Sequence, residues 1–350
     1  MDKLVHEGPC GPKDSAYWSS TAKRNWATPM FCRILLLGFA LCAAEAAGVL
    51  PDPPPTRMPI VDLSKVEVRA TRVSDSFYVL EGQGGTISVL TGPDGVLMVD
   101  SQFAPLTDKI IAAIRQFSEQ PIRFLINTHV HADHTGGNEN LAKIGTLIFS
   151  RNQLRARLAH PSPGSFGRAA PPAPAKALPV VTYDGPVTLH VNGEDVQLIP
   201  IRAAHTDGDT LVRFPREDVL AVGDYYRSVG YPFVDTFNGG TLDGLLAGLA
   251  VTIDLAGPNT KIIPGHGPIV DRKAIIAQRD FVLAMRDRML PLISKGMTFD
   301  QVLAANLTAN SGIPVPDGAY PAEQFIWWMY VELTEAQRSG RDSNQPASRD

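Results

Sequence analysis

With 350 residues and 44% hydrophobic content, the chain suffices for one large domain with appended helices and is too apolar to be disordered. Its net charge of -4 is mild and its Lys and Arg residues are scattered, which argues against the basic face that nucleic-acid binding needs. Residues 1–29 are polar and aperiodic. Met30-Phe31-Cys32-Arg33 then leads into an apolar run from Ile34 to Ala44 and the triplet Ala44-Glu45-Ala46. Basic start, short apolar core and small-residue site predict a signal peptide cleaved after Ala46, with Met30 as the start and residues 1–29 as an upstream extension. The run falls short of the roughly 20 residues of a membrane span, so a retained anchor is the lesser alternative and no stable membrane insertion is expected after cleavage. Cys10, Cys32 and Cys42 all lie in this segment, leaving a mature chain without disulfides or thiolate ligands. The expected location is the periplasm or the exterior.

Residues 47–58, with Pro51, Pro53, Pro54 and Pro55, read as an extended linker before a domain spanning 59–270. Strand-like runs follow at Val66–Arg72, Phe77–Leu80, Thr86–Thr91 and Val96–Asp100, the last two joined by the turn Gly92-Pro93-Asp94-Gly95. Ile110, Ile114 and Phe117 mark an amphipathic helix, and Phe124-Leu125-Ile126 a buried strand reaching Thr128-His129. Pro and Ala enrichment over 160–180 predicts a mobile surface loop. A second β-unit is expected from about Val187: Asn192-Gly193 makes a hairpin of Val187–Val191 and Val196–Ile201, continued by Leu211–Phe214 and Val219–Val222. Thr241–Ala256 is helical with Gly257 as the stop, and Lys261-Ile262-Ile263 is the next strand. Residues 271–339 form a helical extension. There Ile275, Val282 and Met289 recur at sevens, Thr298 and Gln301 make a capping box, and Phe325, Trp328, Met329 and Leu333 form an apolar stripe. Trp327 and Trp328 fit core packing better than a binding surface, and residues 340–350 read as a disordered tail. Strands then helix, twice over, predict an α/β fold: a four-layer αββα sandwich with additional C-terminal helices.

His129-Val130-His131-Ala132-Asp133-His134 concentrates four metal-ligand side chains in six residues. In extended chain His129 and His131 point the same way and can share one ion, whereas Asp133 and His134 diverge unless the chain turns, a freedom expected from Gly136-Gly137. Three histidines and a carboxylate suit zinc. The segment resembles the H-x-H-x-D-H motif of the metallo-β-lactamase superfamily. Further matches follow in the family's order: His205 in Ala204-His205-Thr206-Asp207, Asp224 in Val222-Gly223-Asp224, and His266 in Pro264-Gly265-His266-Gly267. Each follows a strand-like run, so all seven should emerge at one rim.

The resemblance implies a hydrolase with two zinc ions. His129, His131 and His205 would hold the first, Asp133, His134 and His266 the second, and Asp224 with a shared hydroxide would join them. Two ions ~3.5–4 Å apart lower the pKa of shared water towards ~7, making that hydroxide the nucleophile, with Asp133 orienting it and shuttling its proton. Iron is the competing metal. The lack of a mature cysteine sets aside β-lactamases with a thiolate on the second ion.

Asp224 makes the site look more like glyoxalase II or the zinc lactonases, acting on a carboxylic ester, lactone, thioester or related acyl bond of a small molecule. An exported chain instead favours a periplasmic β-lactamase-like enzyme, and a non-catalytic metal-binding protein of the same fold is the third reading. Tyr225, Tyr226 and Arg227 follow Asp224 and are candidates to bind an oxyanion or a substrate carboxylate, with a packed loop as the alternative. Phe233 and Phe237 are candidate pocket walls. Arg272, Lys273, Arg279, Arg286 and Arg288 read as a solvated helix face.

Overall fold

The computed structural model describes residues 50–55, 61–160 and 169–340. The expected signal segment with its three cysteines, residues 56–58 of the linker, 161–168 of the Pro/Ala-rich stretch and the tail from 341 lie outside the described residues.

Seven strands form one sheet in chain order: β1 (Arg69–Arg72), β2 (Phe77–Glu81), β3 (Ile87–Leu90), β4 (Val96–Val99), β5 (Ile122–Ile126), β6 (Leu147–Arg151) and β7 (Val181–Tyr183). Its first three pairings are antiparallel and its last three parallel. The second sheet is a meander of β8 (Val187–Val191), β9 (Glu194–Pro200), β10 (Thr210–Phe214) and β11 (Val219–Gly223), with β12 (Lys261–Pro264) added parallel to β11. The helices are α1 (Thr107–Ile114), α2 (Ala132–Thr135), α3 (Asn138–Lys143), α4 (Asn152–Ala159), α5 (Leu242–Leu255), α6 (Arg272–Ser294), α7 (Phe299–Ala304) and α8 (Ala322–Arg338).

Strand alternation explains the layers. Leu97 and Val99 of β4 face the second sheet, where they join Val212 and Phe214 of β10, while Val96 and Met98 face α1 with Ile110 and Ile114. In β11, Val219 and Ala221 face the first sheet, and Leu220 and Val222 pack under α5, α6 and α8. Strands buried on both faces read as continuous apolar runs, as these do. The result is the expected αββα sandwich with extra C-terminal helices.

Local signals act as their chemistry requires. Asn192 and Gly193 both take positive φ, 56° and 72°, the twist that a two-residue hairpin needs. Thr298 and Gln301 close the capping box of α7. Trp327 and Trp328 are buried, their indole N–H groups donating to the carbonyls of Pro51 and Pro232.

Several expectations change. The strand expected from Val66 begins only at Arg69, after a 3-10 turn at Leu63–Lys65, and all four of its residues are exposed. The second β-unit is preceded by β6 and β7, which extend the first sheet and which periodicity over so short a run did not distinguish. The described end of the 160–180 stretch is anchored: Ala177 is buried and its carbonyl accepts from Asn138 Nδ2. The stop after α5 does not use a left-handed glycine. Gly257 donates its N–H to Thr260 Oγ1, and Pro258 prevents continuation. The face expected to be solvated is only partly so: Arg279 and Arg286 pair with the adjacent Asp280 and Asp287, but Arg286 is largely covered and Arg272 Nε donates to the Ile253 carbonyl.

The turn after β5 corrects a reason. The chain does become helical at Ala132, but Gly136 and Gly137 keep ordinary φ of -61° and -77°. Close approach demands them: a Cβ on Gly136 would lie 2.6 Å from the Ala132 carbonyl oxygen and 2.7 Å from that of Gln102. Gly136→Ala should therefore destabilise by overpacking, by about 1–3 kcal/mol in urea unfolding. An unchanged midpoint would show that this backbone crossing relaxes freely.

Candidate metal centre

The seven ligand candidates come together where β5, β9, β11 and β12 end. His129, His131, His205 and Asp224 form one group of converging donor atoms, and Asp133, His134 and His266 a second, with every ligating atom in a group within 4.8 Å of its fellows. Asp224 spans them. Its Oδ1 lies 3.2 Å from His134 Nε2, and its Oδ2 lies 3.2 Å from His266 Nε2, 3.8 Å from His205 Nε2 and 4.0 Å from His129 Nε2. Asp133 Oδ2 is 3.2 Å from His266 Nε2. Gly265 is obligatory beside this carboxylate, since a Cβ there would sit 1.9 Å from Asp224 Oδ1.

Outer partners assign the tautomers. Thr128 Oγ1 donates to Asp100 Oδ2 (2.7 Å) and so accepts from His129 Nδ1 (3.0 Å). His134 Nδ1 donates to the same Asp100 oxygen at 2.8 Å. His205 Nδ1 donates to the Phe233 carbonyl at 2.8 Å, and His131 Nε2 to Asp235 Oδ2 at 2.7 Å. Each ring thus presents its other nitrogen inward. His131 Nδ1 and His205 Nε2 face each other at 3.0 Å, and such facing acceptors must share a proton or a cation. His129 Nε2 is buried without a hydrogen-bond partner. Imidazoles aimed by outer hydrogen bonds at a common focus with carboxylates, one of them with an orphaned inner nitrogen, fit a borderline divalent ion such as zinc.

The protonation pattern follows. Burial drives His205 down to about 3 and holds His129 well below its ordinary range. Burial opposes charge on His131 as well, but the Asp235 hydrogen bond and the charges of Asp235, Asp133 and Asp224 together outweigh it and raise the pKa, so their common proton belongs to His131. Against strong burial, the charges of Asp224, Asp133 and Asp100 raise His134 well above its usual value. Asp133 and Asp224 are lowered despite burial, Asp133 chiefly by the charges of His134 and His266 and Asp224 by those of His266 and His134.

The three residues after Asp224 fare differently. Tyr225 is a correction: its ring lies in the core beneath α5, and its hydroxyl is 2.8 Å from Thr252 Oγ1. Tyr226 is buried too and packs in the same core cluster, its phenol pushed up to about 12 by burial and then by the charge of Asp271 at the start of α6. An aromatic pair after a strand suits a core as well as a site, and here the core takes both. Arg227 is only half-buried, its Nε buried without a hydrogen-bond partner. Backbone on both sides of it bonds to the His266 loop, through Gly265 N to Tyr226 O and Ser228 N to His266 O. Phe233 does stand at the site, stacked 6.1 Å from His131, whereas Phe237 stacks on Trp327. Asp100, Thr128 and Asp235, which orient the ligands, were not singled out by sequence. Asp100 ends a strand with φ of 65°, and only that position hinted at a role.

A family model described as the metallo-beta-lactamase superfamily matches residues 80–268, more than half of the chain. The chain belongs to the metallo-β-lactamase superfamily. It is a hydrolase of that superfamily with a His/Asp cluster able to hold metal. The metallo-beta-lactamase type 2 of Bacillus cereus is 24% identical over 195 residues, 55% of this chain and 71% of that protein. Among solved structures, a metallo-beta-lactamase from Pontibacter korlensis aligns with a TM-score of 0.53 at 16% identity, over 62% of this chain and 99% of that one. The sec-alkylsulfatase Pisa1 from Pseudomonas sp. aligns at 0.56 and 17% identity over 81% of this chain, which spans about half (52%) of that protein's length. These structural likenesses carry the superfamily fold. Superfamily enzymes act on small molecules, and among the described residues no helix is long and apolar enough to cross a membrane.

Two outcomes are expected. Asp235→Ala should weaken metal binding at the three-histidine group by roughly 10–100-fold, since His131 loses its outer acceptor; an unchanged zinc affinity in chelator competition would contradict it. A cation can take His134 Nε2 only by expelling the proton that its raised pKa retains at neutral pH. Zinc affinity of the second group should therefore rise with pH across the neutral range and fall on acidification, with proton release on loading read directly in weakly buffered solution; loading without proton release would contradict it.

Proposed function

We propose that the chain is a dinuclear zinc hydrolase cleaving a carboxylic ester, lactone, thioester or related acyl bond of a small molecule. The observation that carries this reading is Asp224, a carboxylate whose oxygens address both ligand groups, with no cysteine among the described residues. His129, His131 and His205 would hold one ion, Asp133, His134 and His266 the other, with Asp224 between them. Such ions supply an activated water near neutral pH and polarise the acyl oxygen. Asp133, about a quarter exposed and therefore open to the mouth of the site, would orient the water and accept its proton. Arg227, with its unpartnered Nε beside the His266 loop, would hold an anionic group of the substrate. The order of basic start, apolar core and Ala44-Glu45-Ala46 supports export as part of this proposal.

The Bacillus cereus relative supports a second reading, in which β-lactams are the substrate. The deciding experiment loads the full chain with zinc and assays a chromogenic cephalosporin beside lactone, carboxylic ester and thioester panels, with Asp133→Ala and His131→Ala as controls. Turnover of the acyl panels that is lost in both variants and with chelator is expected. Cephalosporin turnover alone would replace the first reading with the second, and no turnover from a chain holding two zinc ions would overturn both. Arg227→Ala should raise KM for carboxylate-bearing substrates about tenfold or more with little change in kcat, as loss of uniform binding does. A fall confined to kcat would remove Arg227 from substrate binding.

A further inference from the structure

Asp100 and Thr128, which orient His134 and His129, follow strands of the sandwich. Phe233 and Asp235 lie on the irregular segment between β11 and the 3-10 turn Thr236–Asn238, and this segment is held largely from outside. Gly230 N donates to the Pro314 carbonyl and Tyr231 N to the Tyr320 carbonyl, both at 2.8 Å. Trp328 Nε1 donates to the Pro232 carbonyl at 3.1 Å. The Tyr320 ring stacks on that of Phe233, with centroids 4.2 Å apart and planes at 21°. Four consecutive residues, 230 to 233, therefore take their partners from the C-terminal extension. The next contacts reach the ligands: the Phe233 carbonyl accepts from His205 Nδ1, the Phe233 ring lies edge-on to His205 and stacked on His131, and Asp235 holds His131 Nε2.

We propose that the C-terminal extension positions the three-histidine site: Tyr320 and Trp328 clamp residues 230–233, from which Phe233 and Asp235 aim His205 and His131. Tyr320 and Trp328 are positioning residues and touch no reacting atom. The buried N–H groups of Gly230 and Tyr231 have their backbone acceptors on the extension, so without it they would lack partners, and the segment would have no reason to keep this path. The second ligand group takes its contacts elsewhere: His134 is aimed by Asp100 at the end of β4, and the His266 carbonyl accepts from Ser228, which precedes the clamped residues. The consequence is selective: loosening the clamp should weaken one ion and spare the other.

This inference rests on the assignment of the two ligand groups, and the test separates the two. Zinc affinity is measured by competition with a chromophoric chelator in a His266→Ala background, which leaves the three-histidine group, and in a His205→Ala background, which leaves the other. Tyr320→Phe keeps the stacked ring and should match its parent in both. Tyr320→Leu removes the stack and should lose roughly tenfold or more in the first background and nothing in the second. Trp328→Phe tests the same clamp one residue along and serves if Tyr320→Leu does not fold, with the same selective loss expected. Equal affinity of Tyr320→Leu and Tyr320→Phe in the first background would overturn the proposal. So would equal weakening in both backgrounds, which marks general loosening of the fold. Failure of the parent backgrounds to bind zinc would instead overturn the ligand assignment, and this inference with it.

Discussion

Imidazoles and carboxylates cannot converge in a buried rim unless something fixes each ring from behind. An imidazole has one donor and one acceptor, and its outer hydrogen bond decides which nitrogen is left to face inward. Here four outer partners of three kinds do this: the Thr128 hydroxyl, the Asp100 and Asp235 carboxylates and the Phe233 carbonyl. The facing nitrogens of His131 and His205, 3.0 Å apart, are the direct result. Without a shared proton or cation that arrangement would push itself apart, so much of the surrounding structure serves to hold it.

The sandwich supplies the frame by ending four strands at one rim. β5, β11 and β12 deliver His129, Asp224 and His266 within a few residues of their last paired positions, and the loop after β9 delivers His205. Backbone bonds then lock the loops to one another. Thr86 N donates to the Gly265 carbonyl, Gly85 N to the Asp133 carbonyl and Thr210 N to the Thr128 carbonyl, so both sheets share the site. A close-packed interior transmits such constraints because side chains have little room to yield. The C-terminal helices enter the same network through the segment that carries Phe233 and Asp235.

The superfamily sandwich hosts more than one chemistry, so the layers alone do not choose a substrate. What differs between hydrolases on this frame is local: the group that joins the two metal positions, and the side chains around the mouth. In this chain a carboxylate, Asp224, lies between the two groups of ligand candidates, with Asp133 partly exposed and Phe233 stacked on His131 beside them. Tyr225 and Tyr226, which stand nearer to Asp224 in sequence, contribute packing instead.

All seven ligand candidates could be read from the chain because residue type there is the chemistry, and because each follows an apolar run that has to be a buried strand. The hairpin at Asn192-Gly193, the capping box at Thr298 and the helical stripe of α8 were equally legible, since each depends on neighbours a few residues away. Short β6 and β7 were not, because runs of three to five residues carry no period that separates strand from helix. Tertiary structure alone decided that Gly136 answers to crowding by the Gln102 backbone, that the Tyr225 hydroxyl turns to Thr252, and that Asp235 meets His131 from 104 positions away. Sequence by itself determined which groups are candidates to converge and in what order they leave the sheets. Which groups aim them was decided only by the fold, because an outer hydrogen bond needs a partner at the right point in space, and distance along the chain does not encode that.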